Sequence, residues 1–232
     1  MFKVILTIGT IQILAILIQF IKSKIIAVYL GPAGIGIIGT IDQIVQFVAF
    51  LSVFGFPAAS IKFLSKAHSE EDDSFKKSYV GFFYVLVLLS TAGMLMAVGL
   101  ILLFPDYLGA ELEKYQFYLV LGLLTIPTFT LNGLFINVFA ASQKSGSSSA
   151  VILITAAVSL ITVTIGVIYA GIFGIYVGNI IAGVLVTLAI LIYLRSNLGL
   201  PLYNRKTAFI KELRNNPLIL TTSLMLYCSA IT

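Results

Sequence analysis

The sequence predicts an all-α integral membrane protein of six spanning helices plus the start of a seventh, and three observations carry that prediction. Of its 232 residues 59% are hydrophobic and only 10% charged, with a mean hydropathy of +1.10; ordinary globular domains carry about 25% charged residues. The apolar residues gather into stretches near the ~20 residues a helix needs to cross a bilayer. Nearly all the basic residues fall between those stretches, and on alternate connections.

The stretches run Val4–Leu30, Ile37–Ile61, Tyr79–Phe104, Gln116–Ala141, Ala150–Tyr169 and Gly174–Leu194. They are separated by a Gly-Pro turn (Gly31–Gly36), a charged loop (Lys62–Ser78), a short acidic loop (Pro105–Lys114), a Ser-rich turn (Gln143–Ser149) and a Gly turn (Gly171–Gly174). Residues 1–194 thus read as the six-helix lobe and 195–217 as a basic cytoplasmic linker. Residues 218–232 begin a seventh apolar segment too short to span, so the chain reads as a fragment of something longer.

Lys3, Lys62, Lys66, Lys76, Lys77, Lys144, Arg195, Arg205, Lys206, Lys211 and Arg214 share one side of this arrangement, and Lys114 stands on the other. The positive-inside rule then makes the N-terminus cytoplasmic. The acidic run Glu70–Asp73 does not weaken this, because acidic residues contribute little to it. The single cysteine, Cys228, excludes an internal disulfide framework and offers no metal site. A net charge of +5 does not signal nucleic acid here, since the cations sit at helix ends rather than on one soluble face. The first stretch is too long, and too polar in its last third, for a cleaved signal peptide. His68, the one histidine, lies in the charged loop, and no Cys/His or Ser/His/Asp set can be assembled at membrane depth. Gly31–Gly36 follows a membrane helix rather than a strand and matches no phosphate-loop pattern. The chain therefore reads as a transporter rather than an enzyme, with no cofactor and no metal.

Lys22 and Lys24 interrupt the first apolar stretch. At 1.5 Å per residue, Lys22 lies about 13 Å from the Gly31 end, inside a hydrocarbon core about 30 Å thick. A lysine there costs roughly 2.5–3.5 kcal/mol on insertion scales and is expected to face protein or water with a partner. The alternative is a helix that ends near Ile21, with both lysines snorkelling to the interface. At 100° per residue Gln12, Gln19, Lys22, Ser23 and Tyr29 fall on one arc, and Lys24 points away from it. On the second stretch Asp42, Gln46 and Ser60 share a face with Gln43 beside it; on the fourth, Thr125, Thr128 and Asn132 align next to Pro127. Such intramembrane polar groups line cavities in helical transporters. Asp42 reads equally as a structural partner for a lysine or as a cation- or proton-coupling group. The stripe Thr155, Ser159, Thr162, Gly166 and the ridge Gly174, Gly178, Ala182 read as packing surfaces, since small residues let membrane helices approach closely. A cavity holding a buried cation suits an anionic substrate group, and lysine binds phosphate as a point charge whose pull strengthens at low dielectric.

The run from Lys24 through Tyr29-Leu-Gly-Pro-Ala-Gly-Ile-Gly36, then Asp42-Gln43 and Gly55-Phe-Pro-Ala-Ala-Ser-Ile-Lys-Phe-Leu-Ser-Lys66, resembles the start of bacterial O-antigen and enterobacterial-common-antigen translocases. These belong to the multidrug/oligosaccharidyl-lipid/polysaccharide exporter superfamily. The resemblance is strongest over residues 20–68, and the Leu-Gly-Pro-x-Gly-x-Gly turn is its most specific part. It implies a flippase for lipid-linked oligosaccharide in the bacterial cytoplasmic (inner) membrane, moving an undecaprenyl-diphosphate glycan by alternating access between two six-helix lobes of a roughly twelve-helix protein. It also implies membrane lipids and a polysaccharide polymerase as partners, and no nucleic acid. Lys24 matches the basic position of the family's first-helix motif, whereas the helical wheel favours Lys22. Lys22, Lys24, Gln19, Gln12, Asp42, Gln46 and Asn132 are therefore the candidate diphosphate and cavity residues. Two rivals stand beside this reading. A multidrug or small-molecule antiporter of the same superfamily would centre on carboxylates, of which Asp42 is the one acidic residue within a span. A membrane-embedded polymerase, glycosyltransferase or acyltransferase would need catalytic residues and long extracytoplasmic loops.

Overall fold

Two apolar helices in the protein are too long for one membrane crossing. In a computed structural model, which describes residues 2–53, 55–70, 72–104, 112–142 and 145–198, helix α1 covers Phe2–Val53 and helix α6 covers Ser145–Leu198. At 1.5 Å per residue each would reach roughly 80 Å if straight, far beyond a bilayer core of about 30 Å. Each is broken at one glycine with left-handed backbone, Gly31 (φ 66°) and Gly171 (φ 59°). A side chain is strained at such angles and glycine is not. Pro32 then starts the second arm of α1, where its missing N–H costs nothing.

The α6 break is a hairpin. A Cβ placed on Gly166 would meet the Gly174 carbonyl oxygen, one on Gly174 would meet that of Gly166, and one on Gly178 would meet the backbone of Thr162 and Val163. These three contacts pair positions symmetrically about residue 170, so the arms run antiparallel with their backbones nearly touching. Thr162 and Gly166 of the small-residue stripe thus meet Gly178 and Gly174 of the ridge, and small residues on both sides are what let the arms come so close.

Between these long elements lie α2 (Phe56–Glu70), α3 (Asp72–Leu103), α4 (Gln116–Leu123) and α5 (Ile126–Ala141). Together α4 and α5 make one crossing with a jog at Leu124-Thr125. Pro127 has no N–H to give the Leu123 carbonyl four residues back, and beside it the backbone N–H and hydroxyl of Thr125 both bond the Gly122 carbonyl, at 3.0 and 2.6 Å. Counting the arms of α1 and α6 separately, the described residues make six crossings, the number expected. Among the described residues there is no strand.

Three boundaries depart from expectation. The turn at Gly31–Gly36 contracts to Gly31 alone, because the helix resumes at Pro32. The second crossing breaks at Gly55 (φ 71°) rather than running straight through Ile37–Ile61. Asn137 of α5 holds that break, donating to the Pro57 carbonyl at 2.7 Å and to Ser60 Oγ at 3.0 Å. The charged segment Lys62–Ser78, expected as a loop, is largely helical. Phe56, Ala59, Leu64 and Ala67 recur at helical spacing and are buried, and Phe56, Leu64 and Ala67 join Phe75 and Tyr79 in one cluster with Leu134, Phe135 and Val138 of α5, while Lys62, Lys66 and His68 stay exposed. An apolar stripe this narrow is invisible to average hydropathy but sufficient to dock an amphipathic helix. The linker beyond Leu198 and the seventh apolar segment lie outside the described residues; Arg195 is in the last turn of α6.

Candidate functional site

The first arm of α1 runs unbroken through both lysines to Leu30, so neither lysine marks a helix end. Ile25, Ile26 and Leu30 pack with Ile38 of the second arm onto Val163, Val167 and Ile175 of α6. This makes one seam between the α1 and α6 hairpins, and their turns meet where Leu30 approaches Gly171.

Within that seam Lys22, half-buried, donates from Nζ to Ser159 Oγ at 3.2 Å. Asp42, also half-buried, accepts from the Tyr176 hydroxyl at 3.4 Å. Ser159 and Tyr176 stand on opposite arms of α6, at depths only a few residues apart. Lys22 and Asp42, on separate arms of α1, are thus both tied to the α6 hairpin. In a straight helix these two would be roughly 30 Å apart; α1 therefore doubles back at Gly31. Tyr176, 1% exposed, packs among Ile41, Val45, Leu119 and Leu123.

The other expected residues divide. Lys24 is exposed on the far side of α1, in an open groove with Phe20, Ile21, Ile25, Val28 and Tyr29. The helical wheel likewise places the two lysines on different faces, but Tyr29, which it puts on the arc of Lys22, lines the groove of Lys24. Gln12, Gln19 and Gln46 are exposed: they edge the faces that hold Lys22 and Asp42 without turning into the seam. Asn132 is buried elsewhere, in the contact of α5 with α6, where its Oδ1 accepts from Thr187 at 3.5 Å. Of the seven residues, then, only Lys22 and Asp42 are brought together. Two partners escaped the sequence reading. Ser159 was assigned to packing, and it does both jobs. Tyr176 carried one legible signal, a tyrosine set inside the Gly174–Gly178 small-residue ridge. Among the described residues no group of three His, Cys, Asp or Glu side chains gathers to hold a metal.

A family model described as polysaccharide biosynthesis protein matches residues 2–230. The chain belongs to that family. Its fold is that of a multi-pass membrane protein and is similar to part of the MOP-superfamily transporters. An outward-facing multidrug resistance MATE transporter of that superfamily superposes with a TM-score of 0.74 at 13% identity, over 98% of this chain and 53% of that one. A MOP-superfamily transporter from Pyrococcus furiosus, described as having a binding pocket of reverse polarity, gives 0.71 at 13% identity over 98% and 53%. A MATE protein in complex with MaD5 gives 0.69 at 13% identity over 97% and 54%. The chain spans about half the length of these transporters. No curated protein matches it significantly in sequence.

Proposed function

We propose that the full-length protein is a flippase for lipid-linked oligosaccharide, moving an undecaprenyl-diphosphate glycan across the bacterial cytoplasmic membrane by alternating access. The observation that carries this reading is the match to the polysaccharide biosynthesis family over residues 2–230, joined to two lysines inside a membrane-spanning helix. Lys22, with a neutral hydroxyl as its hydrogen-bond partner, offers an uncancelled charge to a diphosphate. Lys24, on the outer side of α1 among apolar and aromatic neighbours, suits a headgroup whose isoprenoid tail lies along the helix.

Deleting the full-length gene tests the proposal. Undecaprenyl-diphosphate-linked glycan should accumulate in the cytoplasmic leaflet, as read by mass spectrometry of lipids from spheroplasts. The rival multidrug antiporter reading draws on the likeness to the MATE transporter and on Asp42 as a site for a cationic compound. A deletion strain sensitised to cationic drugs without any change in glycan lipid would favour that rival and overturn the flippase.

Substrate entry from the cytoplasm requires the orientation inferred from the basic residues. Ser69 and Glu113 are both exposed, at the ends of α2 and just before α4. In a Cys228→Ser background, a membrane-impermeant thiol reagent on intact spheroplasts should label Glu113→Cys and spare Ser69→Cys. The opposite pattern would invert the topology.

A further inference from the structure

Lys22 and Asp42 carry opposite charges on the two arms of one hairpin and face the same α6 hairpin, yet each is held by a separate hydroxyl of α6. Lys22 Nζ bonds Ser159 Oγ at 3.2 Å, and Ser159 Oγ lies 3.4 Å from the Ala156 carbonyl, so its proton can go to its own helix and leave a lone pair for the ammonium. The Tyr176 hydroxyl bonds Asp42 at 3.4 Å. Its ring is fixed by burial and by the close approach of Gly122, where a Cβ would lie 3.4 Å from the ring and 2.9 Å from Val45. At the low dielectric of such a seam, opposite unit charges attract far more strongly than in water. Left alone, they would close into an ion pair that cancels the lysine.

We infer that Tyr176 and Ser159 are positioning residues that hold Asp42 and Lys22 apart, so that the Lys22 ammonium stays open to a phosphate or diphosphate ester. Tyr176 is the decisive member, because it anchors the carboxylate that would otherwise move. This rests on the flippase reading only for the source of the anion, a polyprenyl lipid; the separation of charges stands on the hydrogen bonds alone.

The test uses the full-length protein in detergent, treated with a small membrane-permeant amine-acetylating reagent. Acetylation at Lys22 is quantified by peptide mass spectrometry, and binding of geranylgeranyl diphosphate and of inorganic pyrophosphate is measured in parallel. Tyr176→Phe keeps the ring and its packing but frees Asp42. Loss of one charge-assisted hydrogen bond is worth about tenfold or more, so Tyr176→Phe should lower Lys22 acetylation, and affinity for geranylgeranyl diphosphate, by about that factor. Adding Asp42→Asn to Tyr176→Phe should restore acetylation, because no carboxylate is left to mask the lysine; a purely structural tyrosine would not be rescued this way. Equal acetylation in wild type and Tyr176→Phe, or failure of Asp42→Asn to restore it, would overturn the inference. A wild-type protein that shows the acetylation pattern but binds neither probe would keep the charge separation and sink the flippase reading. Pyrophosphate binding as tight as the lipid's would overturn the polyprenyl source.

Discussion

Gly174→Ala is expected to abolish the folded protein, or to lower its unfolding midpoint sharply. The new Cβ would sit 1.8 Å from the Gly166 carbonyl oxygen and 2.3 Å from its carbon. Both are backbone atoms of the opposite arm, so no rotamer change relieves the contact. The two arms of α6 would have to part, and overpacking of this kind costs about 3 kcal/mol or more where the backbone cannot yield. Gly166→Ala makes the reciprocal clash, with a Cβ 2.0 Å from the Gly174 oxygen, and should behave alike. Gly39 and Gly99 have open space around the same construction; alanine there should leave stability unchanged or slightly raised, since alanine favours helix over glycine. Size-exclusion profiles and thermal unfolding of the full-length protein in detergent read the difference. A Gly174→Ala midpoint indistinguishable from wild type would show that the arms do not meet as described.

Export of surface glycan should be lost in the Lys22→Ala/Lys24→Ala double variant of the full-length protein, and the two single variants should fail in different ways. Lys22→Ala removes the hydrogen bond from Nζ to Ser159 that ties α1 to α6 across the seam, and a lost bond to a charged group costs about 1.5–3 kcal/mol. It should therefore lower both the unfolding midpoint and export. Lys24 is exposed, so Lys24→Ala should lower export with the midpoint unchanged. Each lost contact to a charged diphosphate is worth roughly 1.5–3 kcal/mol, or about tenfold to a hundredfold in affinity. Arginine at either position should partly rescue, because it keeps the charge; glutamine should not. If Lys22 serves only to neutralise Asp42, the Lys22→Ala/Asp42→Asn pair will export normally, and normal export by the double lysine variant would end the phosphate-binding proposal.

Average hydropathy was enough to locate six crossings, since a bilayer-length apolar run is a property of the local chain alone. Gly31-Pro32 and Gly171 were legible as reversals because left-handed backbone favours glycine at any fold's turn. The same averaging hid α2. Its buried stripe of Phe56, Ala59, Leu64 and Ala67 is diluted by Lys62, Lys66 and His68, and it gains stability only from packing against α3 and α5.

The site divides along the same line. Residue type and depth marked Lys22 and Asp42 as intramembrane charges that need partners, and helical periodicity set Lys22 apart from Lys24. Which partners they have was decided by the tertiary structure. The rotation of each arm about its axis, and the heights fixed by the Gly31 and Gly171 turns, bring Ser159 to the lysine and Tyr176 to the carboxylate. The same geometry sends Asn132 away to Thr187 and leaves Gln12, Gln19 and Gln46 on the edge. A sequence determines which residues one helix puts on one face; which face of another helix meets it depends on backbone approaches, such as Gly166 against Gly174, that exist only once the arms are packed.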